Sequence, residues 1–502
     1  MLTPLQIYLE KTPSDCVEPS FVSYIANLQG IARTMPQIAG LVVKELESQR
    51  SHLKLIASEN YCSYAVQSAM GNLLTDKYAE GFPGFRYYGG CENIDAVETA
   101  AAEEAKALFS AEHAYVQPHS GADANLVAYW AILSARVETP SLAEIGETNL
   151  SNLTETQWEE LRQKLGNQKL LGLDYYSGGH LTHGYRQNVS ARMFRSYAYA
   201  VDRTTHLLDY EAIERQAMEV KPLILLAGYS AYPRTVNFRR FREIADKCGA
   251  VLMVDMAHFA GLVAGKTFTG DEDPVQWADI VTTTTHKTLR GPRGALILCK
   301  KEFADFVNKG CPLVMGGPLG HVMAAKAVAL REARSEEYRQ YARNIRENAR
   351  TLAAECARLG LRVQTGGTDN HLLLLNVAET HGLTGRQSET AMFECGVTLN
   401  RNSLPFDANG PWWTSGLRIG VPAVTTLGMG GPEMQEIAGI VKFVLDSAKS
   451  GGAGKGRITL PETVKRTARK RVQALLAAFP LYPELDLNFL KIHFPPQIFF
   501  DF

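Results

Sequence analysis

Residues Asp279 to Gly294 read DIVTTTTHKTLRGPRG, and this phrase decides the fold because it joins a short buried strand to a loop that presents one amine. Ile280 and Val281, followed by four threonines, have the β-branched density of a buried strand, and the run stops at His286 and Lys287. The turn residues Gly291, Pro292 and Gly294 follow, so Lys287 stands at a strand exit. A lone lysine in such a place is usually a solvated loop charge. Desolvation and nearby cations can lower an amine's pKa enough to expose its lone pair, and this makes Lys287 a Schiff-base candidate.

Working outward, neighbouring apolar runs also end in polar groups. LILLAGYSAY closes near Ser230, VLMVDMAH at Asp255 and His258, and GALILCK follows the lysine phrase. In open α/β sheets function collects at that strand edge. An aspartate there is more often a cap or a salt bridge, and Asp255 gains a chemical task only beside a group that needs a counter-charge. Earlier, AYVQ leads through His119, Ser120 and Gly121 into the helical run ANLVAYWAIL, a helix start whose free N–H groups and dipole suit a phosphate. GGHLTHG carries His180 and His183 without a nearby carboxylate or cysteine to complete a metal set, so the rings read as lining an organic site.

The 502 residues suffice for more than one domain, and 45% hydrophobic with 21% charged residues is the balance of a soluble protein. A net charge of −1 gives no field toward nucleic acid or an anionic membrane, and no apolar run reaches spanning length. Eight cysteines without a Cys-x-x-Cys pair fit reduced thiols, and the start MLTPLQIYLEKTPSDC lacks a basic segment followed by an apolar one. A cytoplasmic location is expected.

LIASENY (55–61), KYAEGFPGFRYYGGCENID (77–95), VQPHSGADAN (116–125), GGHLTHG (178–184), VDMAHFAGLVAG (254–265), TTTTHKTLRGPRG (282–294), GGTDNHLLLLNV (366–377) and TSGLRIGVPAVTT (414–426) occur in an order that resembles the serine hydroxymethyltransferase family. The resemblance implies an α/β, aminotransferase-like fold: a large domain over 55–317 with a mostly parallel central sheet, and a smaller C-terminal α+β domain over 318–480. An arm and helix over 1–54 and a tail over 481–502 flank them. It also implies transfer of the hydroxymethyl carbon of L-serine to tetrahydrofolate, giving glycine, with pyridoxal 5'-phosphate covalently on Lys287. Cofactor contacts would be Ser120, Gly121, His180 on the ring face, Ser230, Asp255 on the pyridine nitrogen, His258, Tyr78, Gly316 and Gly317. The amino acid would meet Arg418, Ser58, Tyr88, Glu80 and Arg293; folate would meet Tyr87, Tyr175, Gly179, His180, Leu181, Asn402, Gly410, Pro411 and Trp412. Glu80, His286 and Thr284 join Lys287 and Asp255 as catalytic candidates, Glu80 managing the proton of the substrate hydroxyl. A homodimer with shared sites is implied, with Tyr87, Tyr88 and the Gly316–Gly317 turn serving the partner.

Several stretches depart from the family pattern. Residues 136–170 form an insertion, in which Thr154 and Gln157 have capping-box spacing for a helix ending at Gly166. Leu313, Val314 and Met315 replace the usual turn before Gly316, and the pair Trp412 and Trp413 suits either a folate contact or core. SGGAGKG (450–456) reads as a flexible linker, since Lys455 is followed by Gly456 where a phosphate loop needs Ser or Thr. Residues 1–34 read as an arm of weak periodicity, and Thr34 as the cap of a helix with Ile38, Leu41, Val42 and Leu46 at helical spacing. Leu361–Gln364 reads as a strand, and the aromatic tail as packing on the body or a partner. Two rivals stand beside this function. A folate-independent aldolase or aminotransferase of the same fold would need Asp255, Lys287 and Arg418 but not Glu80 or Asn402; a non-catalytic cofactor-holding protein would need none of the chemistry.

Overall fold

The computed structural model describes residues 2–451 and 456–496. Its central sheet has seven strands: β1 (His113–Tyr115), β2 (Lys169–Leu173), β3 (Arg195–Tyr199), β4 (Ile224–Gly228), β5 (Val251–Asp255), β6 (Ile280–Thr284) and β7 (Ala295–Cys299). They lie in the order β1-β7-β6-β5-β4-β2-β3, all parallel except β7, which runs against both neighbours. Strands β4 to β7 are buried at every position, which is why their sequences are continuous apolar runs. Successive side chains serve opposite cores: Leu225 and Leu252 pack with Phe241 and Ile244, and Leu226 and Met253 with Val127 and Tyr129. This is the α/β class that the sequence implied.

Toward the C-terminus, β8 (Leu372–Asn376), β9 (Asn400–Asn402) and β10 (Gly416–Gly420) form an antiparallel sheet in the order β8-β10-β9. Gly420 is required there. A Cβ at this position would stand 2.3 Å from Ala57 Cα, and Gly420 N–H donates to Leu55 O (2.8 Å), so the turn holding Ser58 lies directly against β10.

The N-terminal expectations need correction. Residues 1–34 are helical over Pro4–Lys11 and Pro19–Thr34, the second helix burying Phe21, Ile25 and Leu28 against Leu481, Leu485, Leu490 and Phe494 of the tail. The tail thus packs on its own chain as far as it is described; residues 497–502 lie outside the described residues. Thr34 ends a helix and caps none. In the next helix, Pro36–Ser51, the buried face is Ala39, Gly40, Val43 and Leu46, while Ile38, Leu41 and Val42 are exposed. Close approach selects that face, because a Cβ at Gly40 would stand 2.6 Å from Pro495 O. Leu361–Gln364 is no strand either: a turn at Gln364–Gly366, with Thr365 at φ 61°, leaves Val363 a single bridge to Leu375. The capping box at Thr154 and Gln157 is present, on a helix running Glu155–Gly166. Lys449–Ser450 pairs with Ile458–Thr459 around the glycine-rich linker, whose residues 452–455 lie outside the described residues.

Candidate active site

The C-terminal edge of the central sheet gathers groups that are distant in sequence. β5 ends on Asp255, β6 on Thr284 just before Lys287, β4 just before Ser230, and β1 leads to Ser120. The backbone of Lys287 is clamped from both sides. Thr285 N–H donates to Gly294 O (3.0 Å) and Thr285 Oγ1 to Pro292 O (2.6 Å), while Asn60 Nδ2 donates to Lys287 O (3.0 Å). Thr288 is fully buried; its Oγ1 donates to His258 O (2.9 Å), and its carbonyl accepts from the Tyr338 and Tyr341 hydroxyls. Burial lowers the pKa of Lys287 to about 8, with Asp255 opposing and Arg418 and Arg293 reinforcing the shift.

Asp255 is buried too. Its Oδ2 accepts from His183 Nε2 (3.2 Å) and Asn125 Nδ2 (3.0 Å), and its Oδ1 from Ala257 N–H (3.0 Å). Burial alone would raise its pKa, but the hydrogen bond from His183, and then the proximity of His183, His180 and Lys287, hold the carboxyl well below its ordinary range. Asn125 extends the network. It accepts from Thr282 Oγ1 (2.6 Å) and donates to Thr182 Oγ1 (2.7 Å), which lies 2.7 Å from His180 Nδ1. Thr182 N–H donates to the same Nδ1 (3.2 Å), so His180 carries its proton on Nε2. Burial lowers the pKa of His180 to about 4, leaving a neutral ring at pH 7. Buried His258 shares a 3.1 Å hydrogen bond with His371. His286 is likewise neutral, its pKa pushed down to about 3 by burial and then by Arg293, and its Nδ1 accepts from Gly294 N–H (3.4 Å).

A cleft of about 440 Å³ opens at this edge, and its lining includes the predicted residues Tyr175, Gly179, His180, Leu181, Ser230, Asn402, Pro411 and Arg418. Arg418 is fixed by donating from Nη1 to Ser230 O (2.7 Å) and from Nε to Asn400 Oδ1 (3.2 Å). Burial lowers its pKa to about 10, so it stays charged. Ser120 caps the helix Gly121–Leu133, its Oγ accepting from Asp123 N–H (3.2 Å). Gly121 sits so close to β6 that a Cβ would stand 2.9 Å from the Thr284 methyl.

Other predicted residues lie elsewhere. Tyr78, Glu80, Tyr87 and Tyr88 do not line this cleft; they ride on a hairpin of Gly81–Phe82 with Phe85–Arg86, where Tyr87 is 70% exposed. Arg86 Nη1 holds the carbonyls on either side of Glu80, at Ala79 (2.8 Å) and Gly81 (2.7 Å), and its guanidinium is anchored on Asp95 and Glu98. The Tyr78 ring packs on Gly317, where a Cβ would stand 2.9 Å from it, so hairpin and Gly316–Gly317 turn share one surface. Gly410 and Trp412 flank Pro411 at the rim. Trp412 is 59% exposed, with Arg386 and Arg401 over its ring at 5.0 and 5.3 Å, so it is not core. Among the described residues no cluster suited to a metal ion exists. Sequence reasoning gave no role to Asn60 or Asn125 and read His183 only as a ring lining an organic site; the signal available was their position inside LIASENY, VQPHSGADAN and GGHLTHG.

A family profile described as serine hydroxymethyltransferase matches residues 31–147 and 162–441. The chain belongs to the serine hydroxymethyltransferase family. It is 66% identical over 495 residues to the serine hydroxymethyltransferase of Treponema pallidum, covering 98% of this chain and 86% of that protein. The serine hydroxymethyltransferase of Cutibacterium acnes is 52% identical over 484 residues (95% of this chain, 99% of the relative), and that of Mycolicibacterium smegmatis 53% over 474 (94% and 96%). The unmatched stretch between the two profile segments, 148–161, falls inside the expected insertion and is shorter than it, since 136–147 and 162–170 fall within the serine hydroxymethyltransferase match.

Proposed function

We propose that this member of the family interconverts serine and glycine with tetrahydrofolate as the one-carbon partner, using pyridoxal 5'-phosphate carried on Lys287. The observation that carries this reading is one strand edge holding both an amine of lowered pKa and a carboxylate kept ionised, beside a cleft with a fixed arginine. The groups present fit the cofactor. First-turn N–H groups behind Gly121, a position a Cβ would fill, suit a phosphate, and the buried Asp255 suits a protonated pyridine nitrogen. When bound, the group supplies an aldehyde for an amine and a ring that accepts the electron pair of a breaking bond.

The chain's own residues do the rest. Arg418 grips the amino-acid carboxylate in a plane that Ser230 and Asn400 have already set. Asp255 supplies the negative charge opposite the amine, and the neutral His180 ring forms a wall that Asn125 and Thr182 keep in one orientation. Tyr175, Leu181, Asn402 and Pro411 border the opening where folate would lie. Glu80 takes and returns the proton of the substrate hydroxyl. Because Glu80, Tyr87 and Tyr88 stand outside the cleft of their own chain, they serve a second copy in a homodimer.

The Lys287 pKa sets a pH dependence. Capture of pyridoxal phosphate by the cofactor-free chain should speed up about tenfold per pH unit below pH 8 and level off above it, as the neutral amine fraction saturates. Stopped-flow absorbance at fixed cofactor concentration reads this, and a rate still climbing tenfold per unit above about pH 9 would return the amine to its ordinary value. Serine turnover measured with and without tetrahydrofolate tests the function. Glu80→Gln should still bind serine, seen as a spectral shift, while folate-dependent transfer falls about 100-fold or more. Undiminished transfer by that variant removes Glu80 from the chemistry, and wild-type turnover indifferent to folate favours the aldolase.

A further inference from the structure

Lys326 is a lysine that the chemistry above leaves unused. It lies on the helix Gly320–Glu332 and is 1% exposed. Its Nζ donates to three main-chain carbonyls, Val116 (2.6 Å), Pro118 (2.9 Å) and Ala295 (2.8 Å). Three acceptors call for three N–H donors, which only the ammonium form has. Burial pulls its pKa down to about 7, against the pull of Glu98 and Asp123. A buried charge without a carboxylate in contact costs more than an apolar side chain of the same volume, so the position needs something an apolar residue cannot give.

The three carbonyls identify what that is. Val116 and Pro118 belong to the link that carries the chain from β1 to Ser120, whereas Ala295 opens β7 on the return from the Lys287 loop. One ammonium therefore grips the segment before the phosphate-suited turn and the segment after the amine. Room is made for it: a Cβ at Gly294 would stand 2.6 Å from Lys326 Cε. The next residue along the gripped link, His119, has a buried Nε2 without a partner among the described residues, and Gly121 rests on Thr284. The charge also reaches the site, since Lys326 is among the cations that lower the pKa of His286.

We propose that Lys326 is a positioning residue for the phosphate end of the cofactor site, holding the Val116–Pro118 link against β7 so that the N–H groups after Ser120 stay aimed at the anion. This rests on the reading that Ser120 and Gly121 receive the phosphate of pyridoxal phosphate. The test titrates the cofactor-free chain with pyridoxal phosphate and with pyridoxal, which has the aldehyde and no phosphate, and records melting of the cofactor-free chain alongside. In Lys326→Met, affinity for pyridoxal phosphate should fall about tenfold or more while affinity for pyridoxal changes less than about threefold. Equal losses for both compounds, or no loss for either, overturn the proposal. If Lys326→Met does not fold, Lys326→Gln, which keeps N–H donors on the same helix face without a charge, takes its place, and the same selective loss is expected. A wild-type chain that binds both compounds equally well would overturn the phosphate reading itself, and the proposal with it; phosphate preference retained in both variants would overturn the role of Lys326 alone.

Discussion

Lys287→Gln is expected to bind pyridoxal phosphate and yet turn over serine at least about 10⁴-fold more slowly than the native chain. The amide is close in length to the amine but cannot condense with an aldehyde. The loop that presents it should persist, because Asn60, Thr285 and Gly294 hold backbone atoms and not the side chain. Stability should not suffer. The amine's folded pKa, about 8, lies below its ordinary 10.5, so folding disfavours its charged form at pH 7, and removing that charge leaves the chain at least as stable. Three measurements separate the outcomes: steady-state turnover, melting of the cofactor-free variant, and borohydride reduction followed by mapping of the labelled residue. Label on Lys287 in the native chain and none in the variant is the expected pair. Turnover within tenfold of native, or label on a different lysine, would end the assignment.

The strands flanking Lys287 were legible because β4 to β7 are buried on both faces, which leaves them as unbroken apolar runs ending in polar residues. That edge was enough to place Ser230, Asp255 and Lys287 together; Arg418, on a different sheet, was tied to the site only through its motif. What stayed hidden depends on contacts between distant segments. Helix Pro36–Ser51 has two overlapping apolar stripes, and Gly40 decides between them by admitting Pro495, far along the chain. The amides of Asn60 and Asn125 leave no periodic trace, since their value lies in the carbonyl and carboxylate they reach. A glutamate in a glycine-rich loop could be read as functional, and the family resemblance sent the hairpin's Tyr87 and Tyr88 to a partner's site; what stayed hidden is Arg86, which brackets Glu80 through the Ala79 and Gly81 carbonyls and is anchored on Glu98.

Asp255→Asn should be the second most damaging change, lowering turnover about 10³-fold or more, and its signature differs from that of Lys287→Gln. The native carboxylate accepts three donors, from His183, Asn125 and Ala257. An amide offers one oxygen to those three and adds an N–H₂ among them, so buried donors go unpaired at a cost of about 1–3 kcal/mol. Because the native pKa is held below its ordinary 3.8, the stability difference between the two chains is fully expressed at neutral pH and shrinks as pH falls below that value. The amine responds as well. Asp255 is the group that raises the Lys287 pKa against burial, so its loss should move the midpoint of the cofactor-capture profile below pH 8 even as turnover collapses. A fast, acid-shifted capture step joined to a failed reaction would separate the electrostatic task of Asp255 from mere support of the loop. A merely structural role predicts slow capture with an unshifted midpoint, and turnover within tenfold of native would remove Asp255 from the chemistry altogether.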